Sequence, residues 1–194
     1  MKRIFVVHGW ESSSDEVWFP WLNEELENRG FQVTLLEMPG TEYPIIEKWV
    51  LHLSNSVGDV DNQTYFVGHS IGCQTILRYV EALPAGVKVG GAVLVAGFFH
   101  LTGVTIPDEI LMVWPWINTP IDFDKIKTHT ENFIAIFSDA DEFVPLSNKK
   151  LFERDLGATT IVEHNMGHFN GKNNPKYKRV QVILESILKI TNQP

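Results

Sequence analysis

A serine hydroxyl attacks a carbonyl only when a base removes its proton and donors receive the developing oxyanion. Gly68-His69-Ser70-Ile71-Gly72 is where this sequence offers such a serine. The apolar run Tyr65-Phe66-Val67 leads in and an apolar-periodic segment leads out, so G-x-S-x-G falls on a strand-turn-helix junction. Small residues on both sides let neighbouring backbone pass close to the strained turn. The helix that follows directs its N-terminal amides and positive dipole end at the negative charge. Such a motif predicts a histidine and an acid further along the chain. His168 stands in Asn165-Met166-Gly167-His168-Phe169, where Gly167 permits a tight turn. Two acids, Asp139 and Asp141, stand in Ser138-Asp139-Ala140-Asp141-Glu142-Phe143-Val144-Pro145. Residue type alone leaves both carboxylates open as the partner of the imidazole, and the one not used would cap its loop.

The remaining part of an acyl-transfer site comes from His8-Gly9-Trp10 at the end of the first apolar run. The backbone N–H groups of Trp10 and Ile71 are the expected pair of oxyanion donors, and losing one such donor costs about 2.7–4 kcal/mol of transition-state stabilisation. The Trp10 side chain would then be free to shape a substrate pocket, for which Phe98, Trp114 and Trp116 are the other candidates. Core packing is the competing role for those aromatics. His69 and His8 are expected to be structural, Cys73 a buried and inert thiol, and Trp18 and Trp21 anchors for a helix. His164 and His168 lack the helix and the glutamate of a zinc motif, so no metal is expected.

Positioning these groups requires strand ends. Short β-branched or aromatic runs alternate with helical patterns, which predicts an α/β fold: a three-layer α/β/α sandwich around a mostly parallel six-stranded sheet. The strands read as Arg3 to Val7, Phe31 to Glu37, Thr64 to Val67, Gly91 to Val95, Phe133 to Phe137 and Thr159 to Glu163. The helices read as Trp18 to Asn28, Ile45 to Ser54, Ile71 to Ala82, Ser147 to Leu156 and Lys176 to Ile190. Phe98 to Asp122, rich in aromatics and proline, lacks a clean period and reads as an irregular excursion above the sheet edge.

A length of 194 residues suits one hydrophobic core, so residues 1–194 are expected to form a single domain without a separate cap. The formal charge of −8 repels phosphate backbones and anionic headgroups, which argues against nucleic acid as a partner; the serine, histidine and acid call instead for a small acyl molecule. No apolar run is long enough for a membrane span or a signal-peptide core, and a lone cysteine suits a reducing compartment, so a cytoplasmic location is expected. Nothing in the sequence sets the number of subunits.

The segments V-H-G-W at residues 7–10, W-F-P-W-L at 18–22, M-P-G at 38–40, G-H-S-I-G-C at 68–73, D-E-F-V-P at 141–145 and G-H-F at 167–169 are spread along the chain. Together they resemble the α/β-hydrolase superfamily, and more narrowly the small cap-less serine hydrolases of the retinoblastoma-binding protein nine and YdeN-like type. The resemblance implies a minimal α/β-hydrolase fold and cofactor-free hydrolysis of carboxylic esters or related acyl compounds. It places the nucleophile on Ser70, the acid on Asp141 through D-x-x-V-P, and the base on His168. The L-x-C-x-E segment tied to retinoblastoma binding in the mammalian relative is missing here, so that role is not carried over.

Overall fold

Six short runs of β-branched and aromatic residues pair into one sheet whose strand order decides where chemistry can happen. The computed structural model describes residues 1–171 and 174–192. In chain order the elements are β1 (Arg3–Val7), α1 (Phe19–Glu27), β2 (Gln32–Leu36), α2 (Ile46–Val57), β3 (Thr64–His69), α3 (Ile71–Ala82) and β4 (Gly91–Val95). There follow α4 (Pro107–Asn118), α5 (Phe123–His129), β5 (Phe133–Ser138), α6 (Ser147–Leu151), β6 (Thr159–Glu163) and α7 (Gln181–Ile190). The strand order is β2-β1-β3-β4-β5-β6, and every pairing is parallel. The chain leaves β1 for one edge to lay down β2, then crosses to the other side of β1 for β3. The winding therefore reverses between β1 and β3, and parallel α/β sheets open a crevice at such a point, beyond the carboxyl ends of the strands.

β3, β4 and β5 are buried along their whole length, which is why they read as continuous apolar runs instead of alternating ones. Alternate residues still divide between two cores. Phe5, Val7, Phe66, Leu94 and Phe137 face the layer that holds α2 and α3. Ile4, Val6, Val67, Val93 and Ile136 face α1 and α7. Each such side chain contributes about 1.5–3 kcal/mol when fully buried, so the sheet is the stiffest support available for groups at its strand ends.

The stretch expected to be irregular, Phe98 to Asp122, is so only at its two ends. Residues 107–118 form α4, started by Pro107 in its first turn with Asp108 and Glu109 beside it. The helical period is hidden because Ile110, Leu111 and Trp114 are exposed apolar residues, so polar and apolar faces do not separate. Pro115 sits inside this helix and removes the amide that would bond to Leu111, a residue on the solvent side. α5 was likewise absent from the sequence reading, although Asp122 caps it by accepting from the Lys125 amide at 2.9 Å. The segment read as one helix from Ser147 to Leu156 changes to a π-helical turn at Phe152–Leu156. The last helix begins at Gln181 and not at Lys176, because Pro175–Tyr177 forms a separate 3-10 turn capped by Asn174. Among the described residues no helix is long and apolar enough to cross a membrane.

Candidate active site

Ser70 lies between the end of β3 and the first turn of α3, with φ +54° and ψ −119°. A side chain in that region costs on the order of 1–3 kcal/mol and persists only where its surroundings force it. The forcing is visible. The Ser70 amide donates to the carbonyl of Val95 at 2.9 Å, and Gly72 packs so tightly on β1 that a Cβ there would stand 2.3 Å from the Val7 oxygen. A Cβ on Gly68 would meet the Cys73 amide nitrogen at 2.8 Å. The two glycines let the helix start directly behind the strand, which leaves the Ser70 hydroxyl proud of the sheet.

His168 Nε2 is 2.9 Å from Ser70 Oγ, and its Nδ1 is 2.8 Å from Asp141 Oδ2. Asp141 is buried, and its other oxygen accepts the amides of Phe143 and Val144, both at 2.9 Å. A carboxylate so satisfied stays fixed and acts as an acceptor, so Nδ1 of His168 carries the proton and Nε2 presents its lone pair to the hydroxyl. An imidazole held in that tautomer can take a hydroxyl proton and have its resulting charge offset from behind.

Asp139, the other carboxylate left open by the sequence, is turned away. Its Oδ2 accepts from His164 Nδ1 at 2.7 Å and its Oδ1 accepts the Asn165 amide at 2.7 Å. These contacts, the amide first, hold its carboxyl below the ordinary range, and the same pairing raises the His164 imidazole. Asp139 thereby ties the β5 loop to the loop that carries His168.

His69 points beneath the elbow and donates from Nε2 to the backbone carbonyl of His168 at 2.8 Å. Burial, with the nearby imidazole of His168 second, pushes its pKa down to about 3, so it is neutral. His8 is buried too, its Nε2 accepting the Met38 amide at 3.0 Å, and burial lowers its pKa. Cys73 is fully enclosed, and desolvation pushes its thiol well up. Trp18 is buried and donates to the carbonyl of Phe169 at 3.3 Å, pinning α1 against the turn after His168, and Trp21 packs in the same layer.

A cleft of about 600 Å³ opens over Ser70 and His168. Gly9 and Trp10 form one wall, Gly9 lying so near that a Cβ there would touch that of Ser70 at 3.3 Å. Ile71, whose amide α3 leaves without an intrahelical partner, lies at the base. Of the aromatics proposed from sequence, Trp10 and Phe98 line the cleft. Trp114 and Trp116 do not. Trp114 is 61% exposed on the outer face of α4, whereas Trp116 is 1% exposed and donates to the carbonyl of Pro44 at 3.1 Å. From α4, Val113 and Glu109 reach the cleft, with Leu101 and Phe143 beside Val113. Sequence reasoning passed over Val113 because only a helix turns it inward while its neighbour Trp114 faces solvent. Phe143 could have been found, since it follows the acid within D-E-F-V-P. Three carboxylates, Glu11, Glu16 and Glu109, also border the cleft.

Comparison with known proteins agrees with this architecture. YdeN of Bacillus subtilis (strain 168) is 33% identical over 168 residues, which are 87% of this chain and 86% of that protein. The crystal structure of the ydeN gene product superposes over 100% of both chains with a TM-score of 0.87 at 28% identity, so the fold is that of an α/β-hydrolase. The serine hydrolase RBBP9 of Rattus norvegicus is 24% identical over 172 residues, covering 88% of this chain and 86% of the relative. The family model described as serine hydrolase matches residues 4–184, and the chain therefore belongs to the serine hydrolase family.

Proposed function

We propose that the protein cleaves carboxylic esters or related small acyl compounds through an acyl-serine intermediate. The observation that carries this reading is the unbroken sequence of contacts from Ser70 through His168 to Asp141, opening on one cleft. His168 Nε2 takes the Ser70 proton as Oγ bonds to the substrate carbonyl carbon, and the carbonyl π electrons move onto its oxygen. The amides of Trp10 and Ile71 hold that oxyanion, and Asp141 stabilises the imidazolium. Collapse expels the alcohol, which leaves with the proton from His168. Water then repeats the attack on the acyl-enzyme with His168 again as base, returning the carboxylic acid and free Ser70.

Walls of Trp10, Phe98, Leu101, Val113 and Phe143 favour apolar acyl groups, and the carboxylates of Glu11, Glu16 and Glu109 disfavour anionic ones. The whole chain acts as one domain in this reading. The single buried Cys73 fits a reducing compartment such as the cytoplasm.

A fluorophosphonate probe should add its mass to the Ser70 peptide, and Ser70→Ala should abolish both labelling and hydrolysis of p-nitrophenyl esters. Running the same panel with an amide and a thioester ranks the acyl classes. Labelling elsewhere with none at Ser70, or esterase activity that survives Ser70→Ala, would refute the assignment.

A further inference from the structure

The cleft wall after β4 is held by two buried amides that the acyl-transfer chemistry does not use. Asn148, 0% exposed at the start of α6, gives three of its four side-chain bonds to it. Its Oδ1 accepts the amides of Phe99 at 2.7 Å and His100 at 3.2 Å. Its Nδ2 donates to the carbonyl of His100 at 3.0 Å and to that of Pro145 at 3.1 Å. Gln74, buried on the helix that begins after Ser70, donates from Nε2 to the carbonyl of Phe98 at 2.7 Å. The strip 98–100 is thus bracketed from the nucleophile side by Gln74 and from the acid side by Asn148.

Further contacts run along the same seam. The Thr102 amide donates to the carbonyl of Phe143 at 2.8 Å, and His100 Nε2 lies 2.7 Å from Ser147 Oγ. Gly103, at φ +76°, passes so close to the loop after Asp141 that a Cβ would stand 2.4 Å from the Glu142 oxygen. Phe98, Leu101 and Gly103 from one side of this seam line the cleft, as does Phe143 from the other. Asn148 has partners for both ends of its amide, whereas Gln74 Oε1 is buried without one, so the Nε2 bond to Phe98 is what Gln74 holds the strip by; losing a partner at a buried amide costs its full desolvation.

We infer that Asn148 and Gln74 are positioning residues that set acyl-group selectivity, by fixing the wall from Phe98 to Gly103 against both Ser70 and the Asp141 loop. The selectivity part rests on the acyl-transfer reading above. The positioning part does not.

Asn148→Asp in the full chain is the direct test. It preserves size and the acceptor for Phe99 and His100, but sets a carboxylate oxygen against the carbonyls of His100 and Pro145. Hydrogen exchange read by mass spectrometry should rise in peptides covering 98–103 and 141–145 and stay at the wild-type level in β1 and β3. The ratio of kcat/KM for p-nitrophenyl octanoate to that for the butyrate should shift about tenfold, the effect of about one methylene's worth of misfit, and the shift should fall mainly in KM. Gln74→Met, which removes the other clasp, should move the same ratio while leaving 141–145 protected, and it carries the test if Asn148→Asp does not fold. Uniform loosening of the whole chain, or an equal loss on every ester in both variants, overturns the proposal. If the wild type cleaves no ester, local loosening confined to the two segments still upholds the clasp, while the acyl reading fails by itself.

Discussion

Asp139 Oδ2 and His164 Nδ1 lie 2.7 Å apart on the surface, two residues before the acid and four before the imidazole of the buried Asp141–His168 pair. The two pairs share chemistry and differ in surroundings, because Asp141 is buried while Asp139 and His164 face solvent. Removing the charge should therefore have unequal effects. Asp141→Asn would present an amide to His168 Nδ1 and favour the wrong tautomer, so kcat is expected to fall by about 10⁴-fold, as in comparable triads. Asp139→Asn should leave kcat within a few-fold, since its carboxylate never meets His168. Steady-state kinetics on one p-nitrophenyl ester decides the matter, and a larger loss in Asp139→Asn would reverse the assignment.

The surface pair also sets a pH window for stability. The Asp139 pKa is depressed in the folded protein, so its contribution is present above the unfolded value near 4 and lost as pH falls through the lower folded one. The His164 pKa is raised, so its contribution is present below the unfolded value near 6.5 and lost as pH rises through the higher folded one. The Asp139–His164 contact, second to the Asn165 amide among the causes for Asp139 and first for His164, is common to both shifts and is strongest from about pH 4 to 6.5. The Tm difference between wild type and Asp139→Asn should be widest there and narrow toward pH 9. Thermal scans across pH check this, and a constant gap would show that the Asn165 amide contact, not charge, is what matters.

Much of this site was legible because its chemistry is written into strand ends. Gly68 and Gly72 on either side of Ser70, and Gly167 before His168, each answer a local steric need that the sequence states directly. Choosing between Asp139 and Asp141 was different in kind. Both lie on one loop, and only the amides of Phe143 and Val144 turn the second carboxylate inward. Helix α4 was illegible for another reason, since Ile110, Leu111 and Trp114 keep its exposed face apolar and erase the periodicity that reports burial. The clasp at Asn148 left no trace at all, because a buried amide is recognisable only by what folds around it.

The two tryptophans of α4 separate packing from substrate contact. Trp116→Ala empties a fully buried site that packs edge-on against Trp49 at 5.9 Å, and should cost about 3–5 kcal/mol. At about 2–4 °C per kcal/mol for a chain of this size, that is a large fall in Tm. Trp114→Ala removes an exposed ring and should stay within about 0.5 kcal/mol of wild type. Neither ring lines the cleft, so in both variants the order of preference among acyl chain lengths should match wild type. A changed preference in Trp114→Ala would place the ring at the substrate after all.

Gly72→Ala examines whether the elbow is an enforced geometry. The added Cβ would meet backbone oxygens of Val7 at 2.3 Å and His8 at 2.7 Å, and neither can rotate away as a side chain would. Relief requires β1 and α3 to separate, which shifts Ser70 and Gly9 together. A loss at or above the upper end of the about 1–3 kcal/mol usual for overpacking is expected, with kcat falling further than stability alone explains. Denaturant titration and kinetics on the folded fraction measure the two effects, and an unperturbed Tm would mean that the strand and helix are not in the contact described.

His69 offers a pH test with the opposite sign from most histidines. Its folded pKa is lowered to about 3, first by burial and then by the neighbouring imidazole of His168, while the unfolded chain takes a proton near 6.5. Between those values the unfolded state binds more protons, so stability must fall as pH drops from about 6.5 toward 3. His69→Gln can keep a donor for the His168 carbonyl while removing the titrating ring, and should flatten the acid side of the Tm profile. Catalysis gives an independent check. Because His69 stays neutral through the working range, the acid limb of log(kcat/KM) should have a slope of one. A slope of two that reverts to one in His69→Gln would show that the buried ring takes up a proton, contrary to its placement.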